Sequence, residues 1–308
     1  MAKFYPILDQ LFLMAVLIIL GIYLNRSGKI NESAENSIAQ LMIDVAFPAL
    51  VFTNIVVDFD FDMLREYIII PITSLIISFV SLMTILLIIK YLNFPKEEGQ
   101  ELAFVSAFSN NIIVGSPICI ALFGAQGLIL AILYDFGMQI TVWTFGVGVL
   151  KGFDNDQNNN YLKNIMSPPI IGLLIGVLVI IFGINVTDSI LNITSSISDI
   201  TIPLAMIFIG LQLAKSDFKK VFANKKIYFV SALKLVFFPL LVYSVLSLFT
   251  LSPILKGVIT LLSAMPVFAS SAVILEKYGY SSKLASMAIF ATIVFMVFTL
   301  PVFIYLVI

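Results

Sequence analysis

No histidine occurs in the 308 residues, and the one cysteine is Cys119. A Cys/His metal cluster and a Ser/His or Cys/His catalytic pair are therefore excluded, and a single cysteine excludes an internal disulfide. No metal and no cofactor is expected. Charge is also scarce: charged residues make up 11% of the chain and hydrophobic ones 60%, where soluble domains average roughly 25% and 45–50%. A soluble fold could not bury that much apolar surface. Seventeen Lys and Arg offset eighteen Asp and Glu, which leaves no basic excess to grip phosphates, so nucleic acid is not a partner.

What the chain has in abundance is long uncharged runs. They cover Gln10 to Asn25, Tyr67 to Ile89, Leu102 to Tyr134, Asn164 to Thr187, Leu235 to Leu255, Gly257 to Leu275 and Leu284 to Ile308. A membrane span needs about 20 mostly apolar residues. Three further segments are interrupted or preceded by one charge each, Asp44, Asp135 and Asp199. Allowing for turns, the pattern predicts ten spans, beginning near residues 7, 36, 66, 101, 127, 165, 195, 226, 254 and 283. The first is expected to be a mature span and not a secretory leader: only Lys3 precedes it, Asp9 interrupts what would be the leader's basic n-region, and no small-residue cleavage site follows before Asn25-Arg26.

Basic residues of short loops gather on the cytoplasmic side. With the loops alternated, thirteen fall on one face, among them Arg26, Lys29, Lys90, Lys96, Lys151 and Lys163, whereas Lys3, Arg65 and Lys256 fall on the other and Lys234 lies inside a span. This split places both termini outside the cytoplasmic membrane and the polar stretch Asp154 to Asn160 in a cytoplasmic loop. Sliding the chain on itself by 155 residues aligns Gly21 with Gly176, Gly28 with Gly183, Asp44 with Asp199, Pro48 with Pro203, Asp62 with Asp217 and Gly124 with Gly279. The expected organisation is a first five-helix repeat over 1–150, a cytoplasmic linker over 151–164 and a second repeat over 165–308. Five is odd, so the second repeat enters the membrane inverted, an arrangement characteristic of transporters.

Two spans carry helix breakers at matching places. The fourth contains Ser109-Asn110-Asn111 and then Gly115-Ser116-Pro117; the ninth contains Ser263-Ala264-Met265-Pro266 and then Ala269-Ser270-Ser271. Proline inside a helix removes a backbone donor and clashes with the preceding turn. Broken helices meeting at mid-membrane present backbone groups and half-helix termini to a ligand with few charged side chains. Asn110, Asn111, Gly115, Pro117, Pro266, Ser270 and Ser271 are therefore substrate-site candidates, against the plainer alternative that small residues merely allow close packing. Pro71, Pro239 and Pro301 fit that alternative. Ionisable groups inside a membrane mark pathways, coupling sites or ion pairs. Asp44, Asp135, Asp199 and Lys234 are candidates, with Asp199 near an interface and open to solvation. Lys234 is expected to pair with Asp44 or Asp135 or else to snorkel. Gln139 follows Asp135 by one turn and Trp143 by two, on one helical face, with Trp143 reading as a packing or anchoring residue.

These residues resemble the auxin efflux carrier family of bacterial and archaeal type, which includes PIN-like transporters and the malate and malonate permeases. The resemblance rests on SNNIIVGSPICIALFGAQG at 109–127, SPPIIGLLIG at 167–176, IPLAMIFIGLQLA at 202–214, FFPLL at 237–241, MPVFASSAVILEKYGYSSKLAS at 265–286 and TLP at 299–301. It implies an all-α membrane protein of ten helices in a 5+5 inverted repeat, divided into a scaffold part and a transport part, with broken helices 4 and 9 crossing at Asn110, Asn111, Gly115, Pro117 and Pro266. It also implies export or exchange of a small organic anion, a carboxylate or an auxin-like molecule. The central loop is too short for the regulatory loop of long plant relatives, and an Asn-Pro-Asn crossover is absent. Coupling to a proton or to sodium, and a homodimer, are left open by the sequence. A channel is the rival reading. An intramembrane aspartyl protease is a more distant one, since Tyr134-Asp135 has no Gly-x-Gly-Asp to accompany it.

Overall fold

A computed structural model describes residues 4–59, 63, 66–151, 168–215 and 218–308. The polar stretch Asp154 to Asn160, the linker beyond Lys151, the Asp62/Asp217 match and the basic residues Lys3, Arg65 and Lys163 lie outside the described residues. Within them the secondary structure is helical apart from one isolated antiparallel bridge between Ser109 and Val267. In chain order the helices are α1 (Phe4–Arg26), α2 (Glu32–Leu41), α3 (Phe47–Asp58), α4 (Ile69–Tyr91), α5 (Lys96–Ala107), α6 (Ser116–Thr141), α7 (Val147–Lys151) and α8 (Pro168–Ile181). They continue with α9 (Asp188–Ser198), α10 (Thr201–Lys215), α11 (Phe218–Ala223), α12 (Lys225–Ala232), α13 (Phe238–Leu246), α14 (Pro253–Ser263), α15 (Ser271–Lys277) and α16 (Ser282–Val307). Among the described residues six helical stretches are long and apolar enough to cross a membrane: Ser33–Asp58, Ile69–Tyr91, Asn111–Lys151, Asp188–Leu211, Lys225–Leu246 and Ser282–Val307. Phe12–Arg26, Pro168–Ile181 and Pro253–Ser263 are shorter apolar helices.

Local chemistry explains where these helices begin and stop. Asn31, Ser252 and Ser281 cap α2, α14 and α16 by accepting from the backbone N–H groups of Ala34, Leu255 and Lys283, donors that the helix itself cannot satisfy. Stops at Gly183 and Gly279 use positive φ values of 59° and 82°. There the following N–H reaches back to an orphan carbonyl, Ile184 to Val179 at 3.0 Å and Tyr280 to Leu275 at 2.9 Å, a closure that favours glycine because it has no Cβ. Among the described residues the positive-φ glycines are Gly28, Gly124, Gly183 and Gly279. Gly183 and Gly279 thus follow Gly28 and Gly124 by the same 155 residues. Gly124 is unlike the others in lying inside α6, where φ 65° and ψ −156° interrupt the helix.

Among the described residues there are four π turns: Met42–Ala46 between α2 and α3, Val142–Gly146 between α6 and α7 and Leu233–Phe237 between α12 and α13 each join two α-helices, and Asn111–Gly115 opens α6 after the extended segment. In order they hold Asp44, Asn111, Trp143 and Lys234, each singled out from the sequence alone. Such turns concentrate at functional positions.

The chain gathers into two compact units. One contains Met1–Ile68, Ile112–Ile132 and Met166–Lys215, the other Ile69–Asn111, Leu133–Ile165 and Ser216–Ile308. In the first, α1 meets α10 backbone to backbone, so that a Cβ on Gly21 would stand 2.9 Å from the Gly210 Cα. In the second, α4 lies against α6 just as closely, with a Cβ on Gly137 falling 2.0 Å from the Pro71 carbonyl oxygen. Lipid supplies little apolar drive between helices, so small residues and interhelical hydrogen bonds hold such pairs. The Ser74 hydroxyl donates to the Tyr134 carbonyl, and Thr141 Oγ1 donates to the Leu75 carbonyl at 3.3 Å.

Candidate functional site

The second unit builds its polar interior where α5 and α14 stop. Helix α5 ends at Ala107 and the chain turns extended at Phe108 (φ −107°, ψ 142°), while α14 ends at Ser263. The segments that follow pair: Asn110 N–H donates to the Pro266 carbonyl at 2.9 Å and Phe268 N–H to the Phe108 carbonyl at 3.1 Å. The 155-residue register sets Asn111 opposite Pro266, and the observed partner is the adjacent Asn110. Two further freed donors also find acceptors, Ser109 N–H at Met138 Sδ (3.4 Å) and Val267 N–H at Thr292 Oγ1 (3.1 Å). These four amides are occupied within the unit, so what the crossing offers a ligand comes mainly from side chains.

Those side chains form a connected, buried cluster. Lys234 is 3% exposed, and its ammonium donates to Ser109 Oγ and, at 3.4 Å, to the Ser263 carbonyl. That carbonyl is free because α14 terminates there. The expected ion pair of Lys234 with Asp135 is not formed: a serine hydroxyl and a helix-end carbonyl take the ammonium. Asn111, 1% exposed, points Nδ2 at Met138 Sδ (3.3 Å) and stands against the Asp135 carboxylate. Asp135, also 1% exposed, accepts from Gln139 Nε2 at 3.3 Å on Oδ2. Its Oδ1 and the Asn111 Oδ1 are buried without a hydrogen-bond partner.

The structure therefore brings Asn110, Asn111, Pro266, Asp135, Gln139 and Lys234 into one unit, with Ser109, Ser263 and Met138 between them. The serines were visible in the sequence as part of the breaks, but Met138 gave no signal, because a methionine in an apolar run reads as core. Ser271 opens α15, buried and with its hydroxyl unpartnered, whereas Ser270 is exposed. Trp143 is half-buried, with the Lys277 ammonium 5.9 Å above its ring. Gly115, Pro117, Asp44 and Asp199 belong to the first unit. Gly115 and Pro117 are buried, at the end of the π turn and the start of α6. Asp44 and Asp199 are exposed, Asp199 as the C-cap of α9.

A recess of about 470 Å³ lies elsewhere in the second unit, lined by Glu97, Glu98, Glu101, Lys226, Tyr278 and Tyr280 among others. Lys226 pairs with Glu98 at 2.9 Å. The Tyr280 hydroxyl faces two acceptors at 2.9 Å, Gln100 Oε1 and the Leu150 carbonyl. Partial burial and the nearby Glu97 charge push the Tyr280 hydroxyl above its ordinary pKa, which keeps it a donor.

Apolar helices of membrane-crossing length, interrupted helices that pair through their backbone breaks, and buried charges at that pairing define a multi-pass membrane protein of the transporter class. The chain belongs to the membrane transport protein family, the family of the PIN-like auxin efflux carriers, whose model matches residues 6–160 and 155–304. It is similar to an uncharacterized transporter of Methanothermobacter thermautotrophicus, 25% identical over 287 residues and 93% of each chain. An uncharacterized transporter of Methanocaldococcus jannaschii is 22% identical over 294 residues, 94% of each chain.

Proposed function

We propose that this transporter is a secondary carrier that moves a small organic anion, a carboxylate, across the cytoplasmic membrane by alternating access at the crossing of helices 4 and 9. The observation that carries this reading is the Lys234 ammonium, buried beside both breaks and met by neutral oxygens instead of a carboxylate. A buried cation without an anionic partner is unfavourable. A carboxylate substrate would supply that partner for as long as it is bound, and release would follow when the site opens to water. The chain is not an enzyme in this reading: the side chains recorded against Asp135 are amides, and an aspartyl protease needs a second carboxylate.

In this carrier ten helices form a 5+5 inverted repeat, 1–150 and 165–308 about a cytoplasmic linker. The pairwise spacing of the positive-φ glycines and the alignment of the two breaks support it. Both termini lie outside. Sidedness has its own test. Single cysteines at Asn93 and Asn185, both exposed, introduced with Cys119→Ala, should react with a membrane-impermeant maleimide from opposite sides, Asn93 from the cytoplasm and Asn185 from outside. Labelling of both from one side would overturn the topology.

The function itself is tested by counterflow. Proteoliposomes loaded with malonate, acetate or an indole carboxylate should accumulate the same radiolabelled anion from outside, saturably, as a carrier does and a channel does not. Protection of the purified protein against thermal unfolding should follow the same anion, since a ligand that binds only the folded state stabilises it. Flux linear in concentration without counterflow would favour the channel instead.

A further inference from the structure

The mechanism so far uses the cation of the cluster and leaves its anion without a task. Asp135 lies on α6 with one carboxylate oxygen held by Gln139 and the other, Oδ1, buried and without a donor. The Asn111 side chain stands against the same carboxylate, with Nδ2 directed at the Met138 sulfur, a weak acceptor, and with its amide oxygen buried and without a partner. Asp135 Oδ1 and the amide oxygen of its neighbour Asn111 are thus two buried acceptors, each lacking a hydrogen. Buried acceptors of this kind are rare in native structures, and each calls for a missing partner.

The number of oxygens decides which partner. A metal cation bound by oxygen takes about six or more ligands, whereas this cluster offers two free oxygens, with a thioether as the next neighbour. One hydrogen on Asp135 Oδ1 needs no more than the atoms present. The charged surroundings agree with such a hydrogen being exchangeable. On its own helix the ionisable neighbour is Tyr134, whose carbonyl receives the Ser74 hydroxyl. Helix α4, packed against this part of α6, carries Lys90 and Tyr91 as its ionisable residues, both exposed at its far end. The pairing segment 108–111 has none. Beyond it stands Lys234, separated from the α6 residues by Ser109.

We propose that Asp135 and Asn111 form the proton-binding site of the carrier, so that the anion held at Lys234 and a proton held on Asp135 Oδ1 cross the membrane together. This rests on the anion-carrier reading above. Electrostatics supplies the coupling. An ionised Asp135 repels an anion in the same dry cluster, and its protonation removes that repulsion, so anion and proton favour each other's binding reciprocally. The proton comes from water on the side where the site is open, binds Oδ1, and returns to water on the opposite side once the anion has left.

Infrared difference spectroscopy of the purified full-length protein, between acidic and alkaline buffer and without substrate, reads the proton directly. The expected result is a carboxylic-acid carbonyl band that appears on acidification, is absent in Asp135→Asn and is displaced in Asp135→Glu, with no change when choline replaces sodium. A band that survives in Asp135→Asn, no such band in the wild type, or a response to sodium would each overturn the assignment. In proteoliposomes, an imposed pH gradient should accelerate wild-type malonate flux several-fold, and whatever flux Asp135→Asn retains should be the same with and without the gradient. Wild-type flux indifferent to the gradient would defeat the coupling while leaving the anion carrier standing. Absence of any anion flux would defeat the carrier reading, and the infrared band would still decide whether Asp135 holds a proton.

Discussion

Replacing Lys234 with methionine is expected to abolish or severely weaken anion transport while leaving the melting temperature unchanged or raised. The opposite signs follow from where the ammonium sits. Its partners are a serine hydroxyl and one backbone carbonyl, too little to offset the removal of a charge from water, and a lysine at a helix centre costs about 2.5–3.5 kcal/mol on insertion scales. Methionine keeps an unbranched side chain and discards that penalty, at the expense of leaving the Ser109 hydroxyl and the Ser263 carbonyl without their donor. A substrate carboxylate, in contrast, loses its counter-charge. A hydrogen bond to a charged group contributes roughly 1.5–3 kcal/mol, which corresponds to about ten- to a hundredfold in affinity. Thermal melting alongside malonate counterflow checks both halves of the expectation. Normal flux would remove Lys234 from the substrate site, and a collapse of the fold would show that its role is structural.

Asn111→Leu is expected to eliminate transport with little loss of stability. Leucine matches asparagine in its number of side-chain heavy atoms and its branching at Cγ, and the change removes an amide oxygen that is already buried without a donor. Leaving such a group unsatisfied costs about 1–3 kcal/mol, so its loss offsets the lost contact of Nδ2 with the Met138 sulfur. What disappears is the polar neighbour of Asp135 at the point where the extended segment turns back into helix. Counterflow in proteoliposomes and thermal unfolding separate the two effects. Transport at the wild-type rate would place the substrate elsewhere.

The features of this fold that depend on a single residue type were legible in the sequence. Pro266, Asn110 and Asn111 cannot sit comfortably in an uninterrupted apolar helix, and they mark the two breaks; Gly28, Gly124, Gly183 and Gly279 recur where the backbone adopts a left-handed φ. Charges stranded in apolar runs drew attention to Asp135 and Lys234 for the same reason of cost. Their partners were not legible. Ser109 meets Lys234 across more than a hundred residues of chain, and no local pattern records such a meeting, while Met138 contributes a sulfur that looks like core. Asp44 and Asp199 could be matched to each other by spacing, but spacing is silent on exposure, and both are exposed. The π turns had no signature either, since one additional residue in a helical turn leaves the hydrophobic pattern almost unchanged.

Those turns bear on how this chain tolerates changes in length. A regular helix advances about 100° per residue, so deleting a residue from the middle of a span ordinarily swings everything beyond it onto the wrong face. A π turn already holds the surplus residue. Removing one residue from Leu233–Phe237 would let α12 and α13 join as a plain α-helix with their outer faces still in register. The shortened span would insert and pack, yet its lysine would no longer be held as the wider turn holds it. At Leu233–Phe237 a one-residue deletion becomes a mild lesion for the scaffold and a severe one for the cargo.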